Sequence, residues 1–272
     1  MKLYRKLAGL GLAALLIATM VVTCGRQPGE EATVEPGPPV TAEVGVEEHF
    51  QKGNEYIQSG QFDKAVVEFE AVLKVEPERV SALTNLGVAY YNVGRLDDAI
   101  AQYTKALEVG SDDADIRSNL AAAYVQKNDL AQALAEYQKA IAINPNLAQA
   151  HFGLAVVYLQ QGLNDQALGE LEKFQANDDG SDKLASAQSH IYMGAVYLDQ
   201  GDTDKALVEY QKALQIDPKM AAAHFGVGLI YAQTGQTEQA VKALEQFQLY
   251  DDGTNTAMTD QAAQMLKQLQ GQ

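Results

Sequence analysis

Residues 120–145 read LAAAYVQKNDLAQALAEYQKAIAINP, and the fold follows from how this stretch divides. Two helix-period segments meet at Asn128, a residue type that enters the left-handed conformation at low cost, so the first helix ends there and the chain reverses. Pro145 closes the second helix. Ala121, Ala133 and Ala140 let the two backbones approach closely, while Tyr124 and Tyr137 fill the space beside that contact. The stretch reads as a helical hairpin.

The same hairpin recurs in both directions along the chain. Small residues fall at Gly53, Gly87, Ala121, Ala155, Gly194 and Gly228, and tyrosines follow three places later at Tyr56, Tyr90, Tyr124, Tyr158, Tyr197 and Tyr231. Alanines recur at Ala65, Ala99, Ala133, Ala167, Ala206 and Ala240, and reversal residues at Gly60, Gly94, Asn128, Gly162, Gly201 and Gly235. The step is 34 residues except for one of 39 between the fourth and fifth copies. Asp63, Asp97, Asp165 and Asp204 sit where a negative charge meets the positive end of the second helix, and Pro77, Pro145 and Pro218 close second helices. A fixed period of this size means a solenoid, in which stacked neighbours supply the core that no single copy can bury.

The succession of Leu, Gly or Ala, Tyr, Ala, an aromatic, Ala and Pro resembles the tetratricopeptide repeat; Leu120, Ala121, Tyr124, Ala133, Tyr137, Ala140 and Pro145 carry it in the third copy. The resemblance covers residues 46 to about 255. It implies an all-α, right-handed superhelical solenoid of six helix pairs, with units at 46–79, 80–113, 114–147, 148–186, 187–220 and 221–255. Residues 256–272 then read as a C-terminal capping helix, because TAMTDQAAQMLKQLQ aligns with KLASAQSHIYMGAVY (183–197) and places Lys267 where a small contact residue would stand. Units four and six depart from the pattern together. Leu171 and Phe174, like Leu244 and Phe247, reverse the usual large-then-small order, and DDG replaces the closing proline at 178–180 and 251–253. Units three and four, and units five and six, are therefore two copies of a 73-residue double repeat, and the insertion after the first DDG is expected to widen or kink the joint between units four and five.

The double repeat puts a histidine second in AHFGLAVVYLQQG (150–162) and again in AHFGVGLIYAQTG (223–235). Two stacked repeats separate His151 from His224, about 20 Å or more at ordinary helix spacing, whereas zinc needs its ligands about 2 Å from one ion. They are expected to be one packing part used twice, and His49 and His190 read as isolated in the same sense. A calcium loop around Gly180 would take ligands from Gln175, Asn177, Asp179 and Ser186 but lacks its closing Glu, so DDG reads as turn chemistry. The chain has no GxSxG, phosphate-cradling loop or HExxH, and no catalytic residue, metal site or cofactor is expected.

Of 272 residues, 47% are hydrophobic and 21% charged, ample for a substantial core. The formal charge is -16, and beyond Cys24 the chain holds 17 basic against 36 acidic residues, a balance that repels phosphate backbones and argues against nucleic-acid binding. Cys24 is the single cysteine, which excludes an internal disulfide framework. It ends MKLYRKLAGLGLAALLIATMVVTC, a basic start followed by an apolar run from Leu7 to Val22, the layout of a secretory signal. This stretch resembles a bacterial lipoprotein signal (1–23), which implies that Cys24 is the lipid anchor; Val21 and Val22 suit the motif, and Thr23 departs from its usual Gly, Ala or Ser. The alternative is an uncleaved anchor, since Leu7 to Cys24 is long enough to span a bilayer with its flanks. Either way, the charges flanking the run place the remainder outside the cytoplasm, at the cell membrane or outer membrane. Residues 24–45, with Pro28, Pro36, Pro38 and Pro39, read as a semi-extended tether reaching up to about 60 Å.

The resemblance also implies a binding groove lined by the first helix of each pair. Here that face offers Phe50 and Asn54, Tyr91 and Asn92, Val125 and Gln126, then Phe152, Val156 and Leu159, Ile191 and Leu198, and Phe225 and Leu229. It is apolar, increasingly so toward the C-terminal half, with amides along its edge. The family's carboxylate clamp wants basic residues where Phe50, Asp115 and Asn119 stand, so an amphipathic helix or apolar extended segment is the expected occupant. The sequence thus describes a membrane-anchored, extracytoplasmic scaffold for protein partners. It resembles in architecture the repeat lipoproteins that help assemble pilus secretins and outer-membrane complexes; the alternatives are an accessory subunit organising a cell-envelope enzyme, or a metal-binding or catalytic protein.

Overall fold

The computed structural model describes residues 44–271. The signal segment, Cys24 and nearly all of the tether lie outside them. Among the described residues there are thirteen helices and no strand. They are α1 (Val44–Gln58), α2 (Phe62–Val75), α3 (Val80–Asn92), α4 (Leu96–Val109), α5 (Ala114–Gln126), α6 (Leu130–Ile143), α7 (Ala148–Gln160), α8 (Asn164–Asn177), α9 (Lys183–Asp199), α10 (Thr203–Ile216), α11 (Ala221–Gln233), α12 (Thr237–Tyr250) and α13 (Thr256–Gln270). Odd and even helices pair across three-residue reversals, too short for anything but antiparallel neighbours. The described chain divides into two compact units, residues 44–157 and 158–271, with the division inside α7.

Each reversal is built as the sequence specifies. Asn128 takes φ 61°, the N–H of Asn128 bonds the Val125 carbonyl at 2.9 Å, and that of Asp129 bonds Tyr124 at 2.9 Å, which satisfies carbonyls orphaned at the end of α5. Asp129 then accepts from the Gln132 N–H and opens α6; Asp202 does the same for α10.

In the N-terminal unit the small residues sit opposite aromatics. A Cβ on Gly53 would lie 2.7 Å from the Phe69 ring and one on Gly87 2.5 Å from Tyr103, so glycine is what lets α1 approach α2 and α3 approach α4. Gly153 extends the rule between pairs, for its Cβ would fall 2.1 Å from Tyr137 on α6. Phe69, Leu83, Leu86, Tyr103 and Leu120 gather in one buried cluster, each stabilising the fold by about 1.5–3 kcal/mol.

In the C-terminal unit Tyr210 is held from both sides. Gly194 of α9 and Gly226 of α11 face its ring at 3.0 and 2.4 Å from where their Cβ atoms would be. The reversed order in unit six has a counterpart in packing: Leu244 occupies the place opposite Gly228, and Phe247 meets Phe225 with ring centroids 5.3 Å apart. The insertion after the first DDG becomes regular structure. It lengthens α9 to 17 residues, against 13 in α11, by an extra N-terminal turn that starts at Lys183 and is capped by Asp182. A cleft of about 610 Å³ opens beside that turn, lined among others by Gln175, Asp178, Lys183, His190 and Gln215.

Candidate functional site

Residues at i, i+4 and i+7 share one face of a helix. This places Phe50, Asn54 and Ile57 in a stripe on α1, Thr84, Val88 and Tyr91 on α3, Ser118, Ala122 and Val125 on α5, and Phe152 with Val156 on α7. In the N-terminal unit most of the expected groove residues are open: Phe50, Asn54, Tyr91, Asn92, Val125, Gln126 and Phe152 are all partly exposed, and Val156 alone is buried. Phe50 is fixed by an edge contact with Phe69 at 5.8 Å and by the Arg79 guanidinium 3.9 Å over its ring. Asn85 donates to the Asn54 carboxamide at 2.7 Å and ties α3 to α1, while Asn92 donates to the Val88 carbonyl of its own helix at 2.8 Å.

The C-terminal unit corrects the expectation of an increasingly apolar trough. Leu159, Ile191, Leu198, Phe225 and Leu229 are 2, 0, 7, 0 and 5% exposed, so they are core and offer a ligand almost no surface. The physical reason is visible at Phe225, which packs on Phe247. The reversed order alone does not set this burial, because Leu171 and Phe174 hold the same places in unit four, where Phe152 stays partly exposed.

The paired histidines perform one task twice. A ring nitrogen bonds a carbonyl six residues back: His151 Nε2 to Pro145 O at 2.8 Å, and His224 Nε2 to Pro218 O at 2.9 Å. Each imidazole fastens the loop that precedes its helix, and His224 also stacks on Tyr250 at 5.6 Å. His49 and His190 each meet one carboxylate. His49 Nδ1 meets Glu68 at 2.5 Å, Arg117 meets Glu136 at 2.5 Å and His190 Nδ1 meets Glu209 at 2.6 Å, always across 19 residues. The first, third and fifth pairs thus carry the same clasp between their helices, and the recurring interval was the signal that single-residue reading missed. Burial pushes the Glu209 carboxyl up, but hydrogen bonds from His190 and Lys212 outweigh it and hold the group below its ordinary value.

The two DDG loops are turns. Asp178 accepts from the Gly180 N–H at 3.1 Å and from the Ser186 hydroxyl; Asp251 accepts from Gly253 at 3.2 Å and from the Thr259 hydroxyl at 2.5 Å. Among the described residues, no three His, Cys, Asp or Glu side chains are grouped to hold a metal ion, and no helix is long and apolar enough to cross a membrane.

Family models described as TPR repeat match residues 122–162 and 194–235, and others described as tetratricopeptide repeat match residues 50–114, 93–136 and 221–252. No curated protein matches the chain. Among solved structures, the MamA protein is 28% identical over 65% of this chain and 94% of its own, with a TM-score of 0.52. YrrB, described as a TPR protein with an unusual peptide-binding site, is 22% identical over 67% of this chain and 97% of its own, at a TM-score of 0.50. Pseudomonas aeruginosa PilF is 18% identical over 80% of this chain and 98% of its own, at 0.68. The last two are likenesses of fold alone. Family matches spread over most of the helix pairs, together with the paired helices themselves, identify this chain as a member of the tetratricopeptide repeat family.

Proposed function

We propose that this protein is a membrane-anchored, extracytoplasmic scaffold that holds a segment of another protein on the first-helix face of its N-terminal unit. The observation that carries the reading is the partly exposed stripe of Phe50, Tyr91, Val125 and Phe152 edged by Asn54, Asn92 and Gln126. Such a surface offers apolar contact together with hydrogen bonds that fix register, which is what recognition of a short segment requires. In the C-terminal unit the corresponding side chains are spent on packing. Anchoring rests on the order of the first 24 residues: basic start, apolar run, single cysteine. A scaffold of this kind suits the assembly of an envelope, secretion or pilus complex.

Two experiments test the proposal. Labelled palmitate is incorporated by the wild type and not by Cys24→Ala; label that persists in the variant removes the lipid anchor from the account. Phe152→Glu depletes the proteins co-purified from membranes, and an unchanged partner set moves the docking face elsewhere.

A further inference from the structure

The charges around the stripe indicate what kind of segment it takes. Glu47, Ser81, Asp115 and Gln149, in the first turns of the first helices of the N-terminal unit, stand three places ahead of Phe50, Thr84, Ser118 and Phe152 and therefore on the same helix face. Glu47 is neutralised by Arg79 at 2.9 Å. Asp115 is exposed and has no ion-pair partner among the described residues, because the nearby Arg117 is committed to Asp112 and Glu136. The other cations of this unit are largely spent in the same way: Arg79 also on Glu76, Arg95 on Asp98, Lys52 on Glu48, Lys127 on Asp97 and Lys139 on Glu136. Between residues 44 and 157 there are 16 acidic and 9 basic side chains, so the unit as a whole carries a surplus of carboxylate.

Resting on the reading of this stripe as the docking face, we propose that the segment it binds is apolar with Lys or Arg at its flank, and that Asp115 is the counter-charge for that flank. An acidic flank would meet a surface with no spare cation on the stripe, whereas a basic flank replaces its counterions with a fixed carboxylate. The apolar floor supplies contact area, and the rim selects by charge.

The test uses the full chain in an uncharged detergent and three fluorescent peptides that share one alternating Leu/Tyr core and differ in flanks of Lys, Ser or Glu. In low salt the Lys-flanked peptide should bind about tenfold tighter than the Glu-flanked one, and the advantage should shrink several-fold in 0.5 M salt. Asp115→Asn should weaken the Lys-flanked peptide about threefold and leave the Ser-flanked one unchanged. Glu108→Gln, which removes an exposed carboxylate from the second helix α4, should do neither. Equal binding of all three peptides, or equal effects of Asp115→Asn and Glu108→Gln, overturns the charge assignment. If binding survives Tyr91→Ala together with Phe152→Glu, or if no peptide binds, the docking face itself falls.

Discussion

Gly226 and Gly169 lie inside helices of the same unit and differ in what lies opposite them. A Cβ on Gly226 would stand 2.4 Å from the Tyr210 ring, and one on Gly169 would meet nothing within 4 Å. Gly226→Ala should therefore cost about 2 kcal/mol through overpacking, and Gly169→Ala should add about 0.5–1 kcal/mol through helix propensity; urea unfolding at constant m-value measures both. The close fit leaves the buried Tyr210 hydroxyl without a hydrogen-bond partner. Tyr210→Phe should accordingly stabilise by about 1 kcal/mol, and a loss of stability would mean that the hydroxyl has a partner in solution. At this scale the sequence was legible where one residue type has one use. Asn128 announced the reversal, and Asp63 and Asp204 announced helix starts. Gly153 and Gly226 were less legible, because their role belongs to an aromatic in the preceding pair.

At the scale of elements, the clasps across 19 residues set how each odd-numbered pair closes. Glu209 is 7% exposed and joined to both His190 and Lys212. Its carboxyl is held below its usual value, so its contribution is present above the unfolded carboxylate pKa of about 4.3 and is lost as pH falls through the lower folded value. Glu209→Gln should unfold earlier than wild type at pH 7, by about 1.5–3 kcal/mol for loss of a charged hydrogen bond. The difference should fade below about pH 4; one that persists there would assign the loss to packing. Helix boundaries and pairing followed from the period of small residues and tyrosines. The clasps did not, since each needs two residues from different helices, one of which, Arg117, shares no side-chain type with His49 and His190. The insertion was legible as a disturbance, but not as an extra turn on α9, because the capping bond that Asp182 accepts from the Ala185 N–H is a matter of geometry.

For the whole molecule, the periodic positions told which residues share a helix face but not which of them stay open. Phe152 and Phe225 occupy equivalent places, yet one is partly exposed and the other is wholly buried. A charge should have correspondingly different effects at the two. Phe225→Glu should unfold the C-terminal unit by circular dichroism, whereas Phe152→Glu should keep its helicity and lose partners. Phe225 was legible as apolar but not as inaccessible, because units four and six carry the same Leu and Phe on their second helices and the pattern does not tell the two places apart. The most direct test of the account replaces either Tyr91, on the stripe of α3, or Thr104, exposed on α4, with a benzophenone amino acid and irradiates native membranes. A discrete protein adduct from position 91 with none from 104 is the predicted result, and equal adducts from both, or an adduct from 104 alone, would contradict it.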